Sequence, residues 1–255
     1  MDSILSVQNL TIKVGGQPLV ENVSFDIKEG EAVLLSGANG AGKSTILKSI
    51  LQLETEEKNI SGKIIERSFG NVLDLKGEDL QRYRSSIAYV QQKDEYAEMG
   101  NIQVRDIISE CGEPHSGKSL SNEEVNEIID RWIPRREDGS RVFDAKSKPG
   151  RFSGGEQRLL SVLSVIVTRS YAELMIIDEP LNNLDFVNVR NISNLINKVL
   201  HENKHMAVLM ISHCRIFPFI TREIELTKSG ISTSEEHYVC HSCFGEPDKE
   251  GYYTE

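Results

Sequence analysis

Residues 37–45 read Gly-Ala-Asn-Gly-Ala-Gly-Lys-Ser-Thr, which fits the phosphate-loop pattern GxxxxGK[ST]. Glycines in such a loop let backbone N–H groups turn inward and approach phosphate oxygens closely. The helix expected after the loop points its positive N-terminus at the same oxygens. The motif therefore predicts ATP and Mg²⁺ bound by Gly37, Ala38, Asn39, Gly40, Ala41, Gly42, Lys43, Ser44 and Thr45, with Lys43 on the phosphates and the Ser44 hydroxyl on the metal.

The surroundings of this loop favour a parallel sheet. Ala32–Leu35 is a short apolar run, typical of a strand buried on both faces, and a helix is expected over 44–53. Further on, helical and strand patterns alternate at 155–169, 174–178, 187–202 and 207–212, followed by a strand pair around 223–232. Strands that alternate with helices predict an α/β fold, here a P-loop NTPase core of mainly parallel sheet with helices on both faces.

Two other regions of the sequence have a different pattern of apolar and polar residues. Apolar residues alternate with polar ones on both sides of the Gly15-Gly16 turn, which predicts an N-terminal antiparallel β subdomain. Strand signals fade between Gln92 and Arg151, and a helix is expected over 122–132, which predicts an inserted helical subdomain. We therefore expect an ATP-binding core from 1–92 and 156–232, an inserted lobe over 93–155 and a polar C-terminal tail over 233–255.

Composition narrows the setting in which the chain works. The 255 residues carry a net charge of −10, which argues against a broad nucleic-acid surface, although acidity of this size is also explained by solubility. The longest apolar stretch, Leu159–Val167, is far shorter than the roughly 18 residues of a membrane span, and no secretory signal is visible. Four cysteines are too few for a disulfide framework at this length, so we expect a cytoplasmic protein.

An apolar run at 174–177 ends in Asp178, Glu179 and Pro180. Ligands of doubly wound sheets bind beyond the carboxyl ends of the strands, so Asp178 is expected to face the Mg²⁺ held by Ser44. Glu179 is then placed to act as general base on an attacking water. Taken alone, the same pattern is also that of a strand ending in an acidic turn; the neighbouring phosphate loop favours the catalytic interpretation.

Residues 151–158, Arg-Phe-Ser-Gly-Gly-Glu-Gln-Arg, open a helix. Two glycines at a helix start form an anion-binding nest. Ser153 also fits a plain N-cap, with Glu156 closing a capping box. The two interpretations are compatible, because a cap and a phosphate site use the same free N–H groups.

Together these motifs resemble the ATPase subunits of ATP-binding cassette (ABC) proteins, over nearly the whole chain from Val7 to Ile231. The phosphate loop matches the family's Walker A motif, and 174–178 with Glu179 matches Walker B and its catalytic glutamate. The signature, usually beginning with Leu, is present here as Phe-Ser-Gly-Gly-Glu at 152–156. The Q-loop matches 87–92, the D-loop 181–185, and the switch histidine His213.

The resemblance implies that two cassettes, either a homodimer or two related chains, pack head to tail and complete each other's sites. Ser153, Gly154 and Gly155 of one would contact the γ-phosphate held by Lys43 of the other. His213 would hold the γ-phosphate and the attacking water, and Gln92 would contact Mg²⁺ and that water. The catalytic residues implied are thus Glu179, His213 and Gln92, and the Mg²⁺ ligands are Ser44, Gln92 and Asp178.

Besides Phe152 in the signature, two further features depart from the family pattern or fall outside it. The family often stacks adenine on an aromatic residue just before the Gly15-Gly16 turn, where this chain has Val14. Base stacking is worth about 1–3 kcal/mol, so Val14 predicts weak discrimination between ATP and GTP. The tail carries Cys240, His241 and Cys243 near His237, a spacing that permits zinc. A closed zinc site usually takes four ligands and the sequence has no second CxxC pair, which favours a reduced tail without metal.

The main functional hypothesis is the nucleotide-binding subunit of a membrane transporter, at the cytoplasmic face of the membrane through a separate permease chain. The alternative is a soluble ABC ATPase outside transport, for example of the iron–sulfur cluster assembly type. A degenerate cassette without turnover is disfavoured, because Lys43, Asp178, Glu179 and His213 are all present.

Overall fold

The structure is a computed structural model, described over residues 3–53, 58–92, 101–109, 120–136, 138–180, 184, 186–212, 217–227 and 230–234. Its described part divides into two compact units. The first contains the residues up to 89 together with 171–179 and 203–234, and the second contains 90–170 and 180–202. No helix in these ranges is both long and apolar enough to cross a membrane.

The first unit begins with an antiparallel sheet in the order β2-β1-β4-β5. Its strands are β1 (Ser3–Val14), β2 (Gln17–Lys28), β4 (Lys58–Glu66) and β5 (Gly70–Asn71). Gly15 and Gly16 join β1 to β2 at φ 57° and 81°, the left-handed pair that a two-residue hairpin turn needs. The antiparallel β subdomain expected from alternation is therefore confirmed.

A second sheet in this unit has six strands in the order β10-β9-β3-β8-β7-β6. Strand β3 (Ala32–Gly37) runs parallel to β9 (Arg222–Thr227) and to β8 (Ala207–Ile211), and β7 (Leu174–Asp178) runs parallel to β8. Strand β10 (Gly230–Ser234) returns antiparallel to β9, and β6 (Ile87–Val90) forms the opposite edge. Every residue of β7 and β8 is buried, as continuous apolar runs predict.

Helix α1 (Lys43–Ile50) follows the phosphate loop and packs into the core of the first unit. Its Ile46, Leu47 and Ile50 are fully buried beside strand residues of both sheets, and each such side chain contributes roughly 1.5–3 kcal/mol. The helix ends three residues before the predicted Leu53. Gln52 adopts a left-handed φ of 48°, and the N–H of Leu53 donates to Lys48 O at 2.9 Å, which stops the helix.

Helix α2 (Gly77–Ser86) fills a stretch in which the sequence predicted no element. Its Tyr83 is fully buried and donates from its hydroxyl to Ile50 O at 2.7 Å, which ties α2 to the end of α1. Burial raises the pKa of Tyr83 far above its ordinary value, and the negative charge of Glu66 adds to the rise.

The second unit is mostly helical. It contains α3, described over 104–109, α4 (Asn122–Trp132), α5 (Gly154–Thr168) and α6 (Phe186–Glu202). Helix α4 has the predicted bounds and starts at a Ser121–Glu124 capping box. Its last turn packs on α6, where Lys198 and Arg131 lie against the ring of Trp132, each 5.2 Å from its centroid.

The two units divide the chain differently from the predicted domains. Helices α5 and α6, which the pattern assigned to the ATP-binding core, cluster with 93–155 in the second unit because α5 packs on α6. The boundaries at 92, 155 and 232 therefore stay a prediction.

Candidate functional site

The phosphate loop has three glycines in left-handed conformations, Gly37, Gly40 and Gly42, with φ of 135°, 77° and 97°. A Cβ on Gly37 would lie 2.5 Å from Leu226 O, and one on Gly42 would lie 2.5 Å from Val20 Cγ2. No atom lies within 4 Å of a Cβ built on Gly40. Packing therefore requires glycine at the two ends of the loop, and conformation alone favours it in the middle.

Lys43 is the first residue of α1 and is only 6% exposed. Its Nζ donates to Gly37 O at 2.9 Å and to Ala38 O at 3.1 Å, so the loop holds the ammonium close to its own backbone. Ser44 is exposed, Thr45 is half-buried, and Ala38, Asn39 and Gly40 in the middle of the loop are exposed. The loop thus presents a buried cation and an exposed hydroxyl at one helix N-terminus.

A cleft of about 550 Å³ lies against the loop. Ala38–Ala41 form one wall, Pro18–Val23 of β2 form another, and Leu226, Thr227 and Gly230 close the third side. Val14, where the sequence predicts contact with the base, is 38% exposed and is not among these lining residues. Leu19 is 39% exposed and does line the cleft. No sequence pattern points to Leu19, because its position beside the loop depends on the pairing of β2.

Asp178 and Glu179 lie at the carboxyl end of β7 and are 4% and 6% exposed. Strands β3, β8 and β7 are adjacent and parallel, so their carboxyl ends share one edge, where the phosphate loop also begins. Glu179 N donates to Ile211 O at 2.9 Å, which fixes this residue to the end of β8. The sheet therefore places both predicted carboxylates at the edge that carries the loop.

Glu179 has a left-handed φ of 47°, a backbone conformation that is usually adopted by glycine. This conformation costs a non-glycine residue on the order of 1–2 kcal/mol. Strain of this kind persists where the surrounding structure over-determines a residue, and it is concentrated at functional sites. The strained backbone supports a functional assignment for Glu179.

The signature segment, residues 152–156, forms the start of α5. The predicted capping box of Ser153 and Glu156 is present there and is confirmed. Ser153 N donates to Glu156 Oε2 at 2.9 Å, and Glu156 N donates to Ser153 Oγ at 3.3 Å. Ser153 and Gly154 are exposed, whereas Gly155 is buried. A hydroxyl oxygen that accepts in a cap can still donate its own proton to another acceptor, such as a phosphate.

The two glycines of this segment have different surroundings. A Cβ on Gly155 would lie 2.2 Å from Asn188 Nδ2 of α6, so the side chain of Asn188 occupies that space. Nothing lies within 4 Å of a Cβ on Gly154. A side chain at Gly155 would therefore have to displace the side chain of Asn188 between α5 and α6, whereas Gly154 leaves open space at the helix start.

Arg158 lies one turn into α5. In the sequence it is only the last residue of the signature stretch 151–158, and no role is predicted for it. It is 3% exposed, its Nε donates to Pro180 O at 3.0 Å, and its Nη1 donates to Gln91 O. Both carbonyls belong to residues next to predicted catalytic ones, Glu179 and Gln92. The available signal was an arginine at the start of an otherwise apolar run, Leu159–Val167.

The remaining predicted residues fall into two groups. Gln92 is described and exposed in the second unit, and its role as a ligand of Mg²⁺ and water stays a prediction. His213, the D-loop apart from Leu184, and the tail with His237, Cys240, His241 and Cys243 lie outside the described residues. The role of the switch histidine therefore stays a prediction, and so do both alternatives for the tail, a zinc site and a reduced tail without metal.

Comparisons with known proteins agree with this geometry. The family model described as ABC transporter matches residues 20–182. The chain is 31% identical over 219 residues, 83% of its length and 77% of the relative's, to the metal-staphylopine import system ATP-binding protein CntD of Staphylococcus aureus. It is 27% identical over 249 residues, 92% of its length and 76% of the relative's, to the dipeptide transport ATP-binding protein DppF of Lactococcus lactis subsp. cremoris.

Among solved structures, the chain resembles the dimeric post-hydrolysis state of the ATP-binding cassette MJ0796 bound to ADP and Pi. The TM-score is 0.68 at 22% identity, covering 91% of this chain and 98% of that one, which confirms the predicted fold class. The relatives carry the names of transport subunits, which favours the transport hypothesis over the non-transport alternative. The chain belongs to the ABC transporter family, as one of its ATP-binding and ATP-hydrolysing cassettes.

Proposed function

We propose that this cassette powers a transporter by closing head to tail on a second cassette around ATP, with a separate permease chain holding the pair at the cytoplasmic face of a membrane. The observation that carries the proposal is the phosphate loop: three left-handed glycines, an exposed middle and the buried Lys43 at the start of α1. A loop of this geometry offers N–H groups and one cation to a triphosphate.

The residues at the loop's edge fit Mg²⁺. Ser44 supplies an exposed hydroxyl and Asp178 a carboxylate from the same sheet edge, and both are hard oxygen ligands of the kind this ion prefers. When bound, Mg²⁺ neutralises negative charge that develops on the phosphate oxygens. Gln92 is the third proposed ligand, on the resemblance alone.

Hydrolysis then needs a base and a fixed geometry. In the proposed reaction Glu179 accepts a proton from water as the water oxygen attacks the γ-phosphorus, and the bond to the β–γ bridging oxygen breaks to leave ADP and phosphate. Lys43 Nζ would hold the β- and γ-phosphates, and His213 would hold the water and the γ-phosphate. The strained, buried backbone of Glu179 supports this role, because a base must be held in position.

The second half of each site comes from the partner cassette in this proposal. The exposed hydroxyl of Ser153 donates to the γ-phosphate, and the free N–H groups of Gly154 and Gly155 complete the contact. An isolated cassette therefore lacks part of its site. Turnover is expected to depend on pairing, and the cargo is chosen by the permease and not by this chain.

The test is ATP hydrolysis by purified full-length protein, together with its Glu179→Gln variant. We expect the variant to bind ATP, lose at least about 100-fold in turnover and accumulate as an ATP-bound dimer, because the base is lost while the phosphate contacts remain. Normal turnover by the variant would show that Glu179 is not the base. Pull-down from solubilised membranes should recover a polytopic membrane protein; recovery of soluble partners alone would contradict the transport role.

A further inference from the structure

Both ends of the signature segment are held by side chains from the stretch just before it. Phe152, at its first position, stacks on Phe143, with ring centroids 5.2 Å apart and planes 19° apart. Glu156, at its last position, pairs with Arg136 at 2.6 Å between Oε1 and Nη2. All four residues belong to the second unit, and none of the functional roles proposed above uses Arg136 or Phe143.

Glu156 has two partners for its two oxygens. Oε2 accepts from Ser153 N in the capping box, and Oε1 accepts from the guanidinium of Arg136. The first contact orients the serine that is proposed to meet the partner's γ-phosphate. The second contact balances the carboxylate's negative charge, which sits in the same helix turn as that serine.

This charge would otherwise act against the proposed function. A helix N-terminus attracts phosphate through its N–H groups, and a nearby carboxylate both competes for these groups and repels the polyphosphate. A cation in contact with the carboxylate cancels most of the repulsion. Arg136 is in turn fixed by two further hydrogen bonds. Its side-chain Nη2 donates to Val142 O at 3.1 Å, and its backbone N–H donates to Ser140 O at 2.9 Å.

We propose that Arg136 is a positioning residue of the ATP site that two cassettes form together. Its ion pair with Glu156 neutralises the negative charge in the first turn of α5, so that Ser153 can receive the partner's γ-phosphate. Phe143 supports the same segment from its other end, since it is 3% exposed and fixes the ring of Phe152 where the chain enters α5. The proposal rests on the head-to-tail pairing described above.

Structural stabilisation is a weak explanation for the ion pair. The side chains of Arg136 and Glu156 are 49% and 22% exposed, and pairs in such surroundings add little to folding stability. A role in stability alone therefore predicts almost no effect of removing Arg136. A role in charge balance predicts a large effect on ATP-driven pairing, and predicts that the effect vanishes when Glu156 is also made neutral.

The experiment measures the ATP concentration that half-converts full-length protein into dimers, by sedimentation velocity with MgATP in a Glu179→Gln background. Arg136→Met should raise this concentration about 10-fold, and Glu156→Gln less than about 3-fold, because only the former leaves an unbalanced negative charge that repels the phosphate. The double variant should return to within about 2-fold of Glu156→Gln, the coupling expected of one interacting pair.

Arg135→Met is the matched control, because Arg135 is the adjacent arginine and its charge pairs with Asp130 instead of the signature. It should leave assembly unchanged, and all variants should bind ATP equally well at protein concentrations too low for pairing. An unaffected Arg136→Met variant, or a double variant as impaired as Arg136→Met, would overturn the positioning role alone. Absence of ATP-driven assembly in the Glu179→Gln parent would overturn the proposed pairing, and this inference with it.

Discussion

Arg158 Nε donates a 3.0 Å hydrogen bond to the carbonyl oxygen of Pro180, the residue that follows the proposed base Glu179. The same guanidinium donates to Gln91 O, beside the proposed Mg²⁺ ligand Gln92. Because the guanidinium is planar and rigid, one buried side chain fixes both backbone segments relative to α5. The helix that begins with the signature is thereby hydrogen-bonded to Pro180 and Gln91, the residues next to the proposed catalytic residues Glu179 and Gln92.

Arg158→Met should therefore damage stability and turnover together. The substitution keeps an apolar stem but leaves two carbonyls without this donor, at a cost of about 2–4 kcal/mol. Urea unfolding and ATPase rates measure the two effects, with Arg82→Met, on the exposed face of α2, as a control expected within about 0.5 kcal/mol of the parent. Equal unfolding midpoints for Arg158→Met and the parent would show that the hydrogen bonds are dispensable.

Glu179 offers a test of the strained backbone. Glu179→Gly and Glu179→Ala should both lose turnover, since both lack the carboxylate. The glycine variant should be more stable than the alanine variant by about 1 kcal/mol, because only alanine has a Cβ that opposes φ near 47°. Thermal unfolding of the two variants side by side measures the difference, and an alanine variant at least as stable as the glycine one would contradict it.

The signature glycines should separate stability from function. Gly155→Ala places a Cβ against Asn188, so it should lower the unfolding free energy by about 1–3 kcal/mol through overpacking. Gly154→Ala meets open space and should leave stability within about 0.5 kcal/mol of the parent. It should still weaken ATP-driven pairing, because the added methyl group occupies the surface that the proposed pairing offers to the partner's phosphate. Chemical denaturation and sedimentation velocity give the two readouts.

Glu66 should make stability fall as pH rises. Its side chain is 6% exposed, and burial raises its pKa above the ordinary value of 4.5, although Oε2 accepts hydrogen bonds from Ser68 N and Phe69 N. The folded state therefore favours the protonated form; the stabilisation is complete below pH 4.5 and is lost as pH rises through the raised pKa. Glu66→Gln keeps an acceptor without the charge, so its free energy of unfolding should rise relative to that of the parent between about pH 4 and 7.

Glu29→Gln is the control of opposite sign. A hydrogen bond with His205, and another with Arg67, lower the pKa of Glu29, so its contribution is present above the ordinary pKa and is lost as pH falls. The free energy of unfolding of this variant should therefore fall relative to that of the parent over the same rise in pH. Urea midpoints measured across the series test both signs, and parallel curves for parent and Glu66→Gln would refute the assignment for Glu66.

Val14 should limit recognition of the base. Val14→Tyr supplies a ring for stacking and should tighten ATP binding by about 1–3 kcal/mol if position 14 contacts the base. The parent is expected to bind GTP and ATP with similar affinity, measured by competition against a fluorescent nucleotide. Leu19→Ala tests the cleft wall instead: weaker nucleotide binding in that variant, with no effect of Val14→Tyr, would move the base contact from the hairpin end to β2.

Much of the fold could be predicted because local patterns and tertiary packing agree. The run at 174–178 and the pattern at 122–132 each have one structure that buries their apolar residues, and both elements have the predicted bounds. The stretch 58–86 was not predicted, since β4 and α2 are largely polar and are held by cross-strand pairing and by Tyr83. Their stability comes from partners distant in sequence.

By itself, the sequence determined the chemistry of the phosphate loop, the acidic end of β7 and the capping box at Ser153, because each depends on residues within a few positions of one another. Only the tertiary structure decided that Arg158 holds Pro180, that Arg136 pairs with Glu156 and that the side chain of Asn188 occupies the space beside Gly155. These contacts join residues 20 to 33 positions apart, and no local period or motif spacing encodes them. They depend on how helices and loops pack, which is decided by the burial of the whole unit.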